Sequence, residues 1–530
     1  MDDLLNSEPE ILEAYSKDAS LFKIRPKFVA SPKNTEDIKR LVRFANEKRE
    51  SLTVRAGGSD MTGGPLTESI VVGVANLNKI GEIHRQDLWE IGLACVSVQP
   101  GVYYRDFEKE TLKHDLLLPC YPASKDIAAI GGMVGNNCGG ERSLRYGKME
   151  DSIVSSKWVF NDENEYEIKP IPLAKISSAT RYEREIFKLI EDNRELIERS
   201  KPKVSKNSSG YFLWNVIKGD LFDLNKLLVG SQGTLGIMTE ATLKLVPIKK
   251  YHDMVALFFK SWDELPKVTK AIIPLKPESL ETFDKETLKL GIRFMPEIAK
   301  KAGEGLFSFV SKFLPEALIG ARMLGLPELV TLVEIAEESE EEVGRKVEAV
   351  REAVKPFGTL YRVIEKDSEE EKFWIMRRES FNLLRKKMGG KRTVPLVDDF
   401  CIPVETMAEF LPKAKKILEA YGVTANIAGH AGDGNFHIIP LMDLKKESER
   451  RKLIPMAKSF YDLVAEYKGT ISGEHNDGIV RTPFLDKMYS PEILKLFKKT
   501  KQIFDPKNIF NPKKKVGATL DDFQKYLDRN

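Results

Sequence analysis

Three of the six histidines in this 530-residue chain fall between residues 430 and 475, in company that could do chemistry. His430 and His437 flank a glycine-rich bend, Gly429-His430-Ala431-Gly432-Asp433-Gly434-Asn435-Phe436-His437. Ser472-Gly473-Glu474-His475 sets a carboxylate beside a third imidazole. If the chain is extended on both sides of the bend, His430 and His437 converge. Two imidazoles and one carboxylate form a facial set for a divalent ion, with positions left open for a substrate. A divalent ion is thus the expectation for His430, His437 and Glu474. A fixed cation is also on offer: Phe373-Trp374-Ile375-Met376-Arg377-Arg378-Glu379 reads as a helix with adjacent arginines. A guanidinium grips a carboxylate with two parallel hydrogen bonds. Arg378 better fits a surface position.

Three glycine-rich turns lie in the first half of the chain, each adjoining a strand-like run. They are Arg55-Ala56-Gly57-Gly58-Ser59-Asp60, Gly131-Gly132-Met133-Val134-Gly135-Asn136-Asn137-Cys138-Gly139-Gly140, and Gly230-Ser231-Gln232-Gly233-Thr234-Leu235-Gly236-Ile237. Glycine removes the side chain that would block a ligand, and runs of its N–H groups suit an anion such as a pyrophosphate. No Gly-Lys-Ser/Thr follows at P-loop spacing, and no G-x-G-x-x-G heads a βαβ unit, so a nicotinamide site is not expected.

Elements must hold these groups in place. Thr35-Glu36-Asp37 suits the start of an amphipathic helix, and Leu52 to Arg55 reads as a strand entering the first glycine turn. Gly101 to Leu118 and Tyr182 to Ser200 each read as one helix. After Pro247 the texture changes. Apolar runs at 255–259 and 329–334 alternate with charged helices, notably Glu337 to Val354, the pattern of helices over an antiparallel sheet. The fold class expected is α+β, with a first domain at 1–248 built around the glycine turns, a second at 249–480 carrying the histidine cluster, and a C-terminal segment at 481–530. The apolar stretch from Gly305 to Ala336 reads as core, a partner surface or an interfacial helix.

Composition removes other classes. Lys and Arg total 83 against 80 Asp and Glu, a net +3, which lacks the basic excess of a nucleic-acid binder. The four cysteines, Cys95, Cys120, Cys138 and Cys401, include no C-x-x-C pair, against a cysteine-ligated cluster or zinc ribbon. The acidic N-terminus lacks a secretory signal, and no apolar run reaches spanning length. The expected compartment is the cytoplasm, with contact at the inner membrane face left open, as are a homodimer and a hetero-complex.

The glycine turns, with Pro122-Ala123-Ser124, Arg142-Ser143 and Tyr146-Gly147 between them, resemble the FAD domain of the vanillyl-alcohol-oxidase-type (PCMH-type) flavoproteins, from about Tyr15 to Pro512. The histidine motifs narrow the likeness to the FAD-linked D-2-hydroxyacid dehydrogenases, the D-lactate, D-2-hydroxyglutarate and glycolate dehydrogenase group. The resemblance implies that FAD is held by Arg55 to Asp60, Pro122 to Ser124, Gly131, Gly132, Gly135, Asn136, Asn137, Gly139, Gly140, Ser143, Tyr146, Gly233, Gly236, Ile237 and Asn511. Residues 55–64 contain no His or Cys, so the FAD is expected to be non-covalent. It also implies His430, His437 and Glu474 as ligands of zinc, with manganese or iron as alternatives, His475 as base, Arg377 as carboxylate clamp, Asn435 as substrate partner and Asp399 as a positional residue. Lys487 and Lys513 offer positive charge near the returning tail.

One departure stands out: Asn476 occupies a place where the family commonly has glycine. Asn tolerates the left-handed turn, and its side chain is expected to bear on pocket size. The implied reaction is oxidation of a small D-2-hydroxy acid, D-lactate first, with electrons leaving to an external acceptor. That acceptor is an electron-transfer flavoprotein, an iron-sulfur subunit, a cytochrome or a quinone. The rival readings are a non-hydroxyacid oxidase or flavin reductase on the same fold, and a FAD-carrying electron-transfer subunit.

Overall fold

The computed structural model describes residues 3–86, 93–301, 305, 313–364, 369–370, 372–374, 391–423 and 425–529. The first part of the chain builds two main sheets. A four-stranded sheet places Leu52–Arg55, Ile70–Gly73 and Phe28–Ala30 in parallel register, with Leu52–Arg55 last in the order, and the first glycine turn leaves the end of that strand. The helix Thr35–Lys48 covers it with Ile38, Leu41, Val42 and Ala45. Its cap is Asn34, one residue earlier than expected, whose side chain accepts from the Asp37 N–H. A second, antiparallel sheet is centred on Ile237–Pro247, which pairs with Leu93–Val98 and Ile153–Val159.

Two expected helices are shorter than their sequence patterns. The helix expected over 101–118 spans only Tyr104–Leu112, after which Leu116–Leu117 joins the Ile237–Pro247 strand. The charged stretch 182–200 is two helices, Arg181–Glu191 and Arg194–Ser200, separated at Asp192 and Asn193. Residues with weaker helix propensity, which bond readily to nearby backbone, account for that break.

Between Pro247 and Tyr251 the chain passes to an eight-stranded antiparallel sheet. Its order runs Leu360–Ile364, Tyr251–Phe259, Leu329–Glu337, Ser279–Asp284, Ala425–His430, Asn435–Met442, with two short strands on the last. The strand at 329–337 is buried at every position. Side chains alternate between two apolar layers: Val255, Leu257 and Phe259 face one cluster, Met254, Ala256 and Phe258 the other. The helix Glu340–Val354 covers one face with Val343, Val347, Val350 and Val354. Within the apolar stretch that had three readings, the helix Leu314–Met323 lays Ile319 and Met323 against the second layer and leaves Leu318 and Leu324 exposed at 62% and 96%.

The tail returns to the first half, where the main chains of Leu52 and Phe510 pair and Tyr182 stacks on Phe504 at 5.2 Å. Among the described residues no helix is long and apolar enough to cross a membrane.

Candidate functional site

The three glycine turns interlock. Gly57 lies against the Ile127 carbonyl, where an added Cβ would come within 2.4 Å, so the first turn abuts the approach to the second. The Gln232 and Gly230 N–H groups donate to the Gly135 and Val134 carbonyls at 2.9 Å, joining the third turn to the second. Side chains complete the link: Asn136 Nδ2 donates to Asp60 Oδ2 at 3.0 Å, and Gln232 Nε2 donates to Asn136 Oδ1 at 3.2 Å. Gly131 and Gly236 pack tightly, on Pro100 and on Phe160. Gly132 and Gly135 do not: their nearest neighbours, Ala56 and Gln232, lie 3.8 and 3.9 Å from an added Cβ. These two sit three residues apart on one face of the helix Ile130–Asn136. Protein packing does not require glycine there, and the bare face between the first and third turns fits a flat ligand approaching the backbone.

Several further candidates act on the protein itself. Asn511 Nδ2 donates to the Gly64 and Gln232 carbonyls at 3.0 and 2.7 Å, tying the returning tail to two of the turns. Ser143 Oγ accepts from the Gly140 N–H at 2.8 Å, and the Tyr146 hydroxyl donates to Glu278 across to the second sheet. Asn137 Oδ1 accepts from the Glu150 N–H, and the Ser124 carbonyl accepts from Ile127 and Ala128. Gly233 takes a φ of 66° beside Val54, and Ile237 is fully buried in the apolar cluster beneath the helix Thr35–Lys48.

The imidazole pocket is built by a hairpin. Strands Ala425–His430 and Asn435–Met442 pair so that His430 opposes Asn435. At Gly429 a Cβ would meet the Asn435 carbonyl at 2.3 Å, so this close approach demands glycine. Asn435 and His437, two apart on one strand, share a face. The Cys401 N–H bonds the Thr470 carbonyl, which brings the 470–478 loop alongside. His430, His437 and Glu474 then present one ligand atom each within 4.8 Å of one another. The His430 and His437 rings are perpendicular at 5.4 Å, and His475 stacks on His437 at 5.2 Å.

Each imidazole is held through Nδ1, which leaves Nε2 for the pocket. His430 Nδ1 meets Glu281 Oε1 at 2.5 Å, His437 Nδ1 meets the Asp398 carbonyl at 3.1 Å, and His475 Nδ1 meets Asp398 Oδ2 at 2.8 Å. The fully buried Arg481 grips the other Asp398 oxygen at 2.5 Å. Asp399 Oδ2 accepts from the Ser472 hydroxyl and from the Glu474 and His475 N–H groups, while Oδ1 accepts from Asn435 Nδ2. Lys206, also buried, donates to Glu474 Oε1 at 2.6 Å and lies 3.1 Å from Asp433.

The pocket is densely charged. Glu281, Asp398, Asp399, Asp433 and Glu474 face the buried cations Lys206, Arg481 and Lys148. Burial opposes a proton on His430, yet Glu281 outweighs it and raises the ring to about 9. Burial is likewise outweighed at His475, by Asp399 and then Asp398, again to about 9. His437 is pushed down to about 4, by burial and then by His475. Burial is overcome at Glu474 by Lys206 and His430, which hold the carboxyl well below its ordinary range. His430, His437 and Glu474 are the residues of this pocket whose ligand atoms lie close enough together to hold a divalent ion.

Arg377 lies outside the described residues. Asn476 turns left-handed at φ 70°, and its amide donates to the Gly230 and Asn136 carbonyls at 2.9 and 3.2 Å. The side chain thus points to the glycine turns and does not narrow the pocket. Lys487 and Lys513 pair with Asp462 and Asp522. Buried cations of the tail include Lys501, Lys514 and Lys515; Lys501 pairs with Asp505 and Lys515 meets Asp477 at 3.1 Å. Sequence reasoning passed over Lys206, Glu281, Asp398 and Arg481. Only Glu281 carried a signal, as a charged residue between Leu280 and Phe283 in an apolar strand.

Comparison with known proteins adds to this geometry. Residues 248–515 match the model described as FAD linked oxidases, C-terminal domain, and residues 26–168 match that of a FAD binding domain. D-2-hydroxyglutarate dehydrogenase of Escherichia coli (strain K12) is 25% identical over 519 residues, 94% of this chain and 49% of that protein. The chain therefore spans about half the length of this relative. D-lactate dehydrogenase of Archaeoglobus fulgidus is 28% identical over 491 residues, 92% of this chain and 91% of that protein. Among solved structures, 4-ethylphenol oxidase from Gulosibacter chungangensis shares the fold, with a TM-score of 0.68 at 16% identity, over 98% of this chain and 95% of that one.

Proposed function

Since the chain belongs to the FAD-linked oxidases, we propose that it oxidises a small D-2-hydroxy acid, D-lactate first, to the 2-oxo acid. FAD would be held along the interlocked glycine turns, and a divalent ion, zinc before manganese or iron, would be held by His430, His437 and Glu474. The observation that carries the reading is the pocket of three imidazoles, each fixed at Nδ1 and open at Nε2. When bound, FAD supplies the acceptor for the two electrons that leave C2 as a hydride. The ion supplies a Lewis acid for the substrate's oxygens.

The rest falls to this chain. Arg377 pairs with the substrate carboxylate, and Asn435, held by Asp399 and the Phe400 carbonyl, orients the hydroxyl side. In its neutral form, with Nδ1–H on Asp398, His475 takes the hydroxyl proton at Nε2, as a general base within hydrogen-bond reach does. Asp398 keeps that ring aimed while Arg481 fixes Asp398. Electrons then pass to an external acceptor, and the relatives named for D-2-hydroxy acids support the substrate class.

Anaerobic titration of the FAD-loaded protein with D- and L-2-hydroxy acids tests this. The flavin absorbance is expected to bleach with a D-acid, and bleaching is expected to slow after chelation and recover with added Zn²⁺ or Mn²⁺. No bleaching with any 2-hydroxy acid would overturn the reaction. Bleaching indifferent to chelation would overturn the metal's part in it.

A further inference from the structure

His430 has a partner that no part of the reaction above requires. Glu281 sits on the strand Ser279–Asp284, which pairs antiparallel with Ala425–His430 so that Glu281 opposes His430. Thr282 and Phe283 oppose Gly429 and Ala428 in the same ladder, so the register is set by three consecutive pairs. Glu281 is fully buried, and its Oε1 lies 2.5 Å from His430 Nδ1. The other ring nitrogen, Nε2, faces Glu474 Oε1 at 3.5 Å. Glu281 and Glu474 therefore hold opposite edges of one imidazole. Glu281 is outside the set of ligand atoms that converge, since its carboxylate meets the far edge of the ring.

We propose that Glu281 is a positioning residue that fixes His430 in the Nδ1–H tautomer and so presents the Nε2 lone pair to a divalent ion. This rests on the metal reading above and deepens it. A carboxylate behind a ligating imidazole fixes both the ring's orientation and its tautomer, and raises its basicity as a ligand. A neutral imidazole has one donor and one acceptor nitrogen, so a bonded Nδ1–H leaves the lone pair on Nε2. The position on a central strand matters as much as the contact. Leu280 and Phe283 are buried in the two apolar layers on either side of Glu281, so the carboxylate is held by the packing of the sheet.

The consequence is a split between metal and flavin. Loss of the Glu281 carboxylate loosens His430 without touching any glycine turn. Disturbed ligand support of this kind costs about 10–100-fold in metal affinity.

The test uses the FAD-loaded full chain, with Zn²⁺ and Mn²⁺ binding measured by competition against a chromophoric chelator. Glu281→Gln keeps the shape and removes the charge, and Glu281→Asp keeps the charge and shortens the reach. Both are expected to bind the ion about 10–100-fold more weakly than the wild type, with flavin absorbance and FAD stoichiometry unchanged. If one variant fails to fold, as judged by thermal unfolding, the other decides. Wild-type affinity in a folded variant would overturn the positioning role. Failure of the wild type to bind either ion would overturn the metal reading itself, a distinguishable result.

Discussion

The glycine cradle and the imidazole pocket touch, yet they are made by opposite means. The cradle is defined by what is missing: Gly132 and Gly135 bare a helix face that no neighbouring protein atom needs empty. The pocket is defined by what is fixed: three rings, each bonded at Nδ1, and carboxylates held by buried cations. They meet at Gly139 and Gly140. A Cβ at Gly139 would come within 3.1 Å of Glu474 Oε1, and Lys206 Nζ lies 3.3 Å from the Gly140 carbonyl while gripping Glu474. The contrast teaches that binding and chemistry here fail in different ways. A cradle loses its ligand when something is added, whereas a pocket loses its reaction when a support is removed.

The largest effect is expected at Asp398. In Asp398→Asn the amide retains the size of the carboxylate but can donate to His475 Nδ1, reversing the tautomer and leaving Nε2 protonated. Substrate-driven flavin bleaching is expected to slow by about 10²–10⁴-fold, with FAD still bound. Stopped-flow absorbance under anaerobic conditions measures it. Loss of FAD together with the rate would erase the separation between the two regions.

Next comes a pair of glycines in the cradle. Gly57→Ala drives a methyl into the Ile127 carbonyl at 2.4 Å, and is expected to destabilise the fold by about 1–3 kcal/mol. Gly132→Ala has no closer neighbour than Ala56 at 3.8 Å, so the unfolding temperature of the FAD-free protein should hold. Its FAD affinity is expected to fall by roughly tenfold, the scale of one methyl intruding on a close contact. Fluorescence titration of the apoprotein with FAD checks both. A Gly132→Ala protein with unchanged affinity would mean that the bare helix face is not where the ligand lies.

How much of this was legible in the residues follows the same division. Glycine turns and histidines announce themselves locally, the glycines because they cluster and the histidines because they are few. The α+β class and the antiparallel second sheet followed from alternation and helix spacing. The supports were not legible. Glu281 reaches His430 through strand register, and Lys206 reaches Glu474 from a polar loop far back in the chain. Asp398 and Asp399 are adjacent and alike in sequence, yet the segment leading into the strand Phe400–Cys401 turns them to different duties, one to His475 and Arg481, the other to Asn435 and two backbone amides. Asn476 departs from the expected glycine, but its amide is spent on the Asn136 and Gly230 carbonyls, a destination only the folded turn reveals.

The smallest effect is expected at the seam that joins the two regions. Arg142 and Arg145 follow the second glycine turn and meet Glu278, Glu334 and Glu337 on the sheet that carries the pocket. Tyr121 and Glu141 pack in from the cradle side, and Ser279 donates to Glu334 at 2.9 Å. Burial, opposed by Arg142, raises the Glu334 carboxyl to about 7. A carboxyl raised on folding favours the fold while protonated, so its contribution is full below the unfolded value near 4.5 and is lost as pH rises through about 7. Glu334→Gln keeps the Ser279 hydrogen bond and removes the titration. The wild type is expected to lose stability between pH 5 and 8 by at most about 3 kcal/mol from this group, and the variant to lose less. Urea unfolding at the two pH values, followed by tryptophan fluorescence, reads the difference. An equal loss in both proteins would place the pH sensitivity elsewhere and leave the seam a passive contact between cradle and pocket.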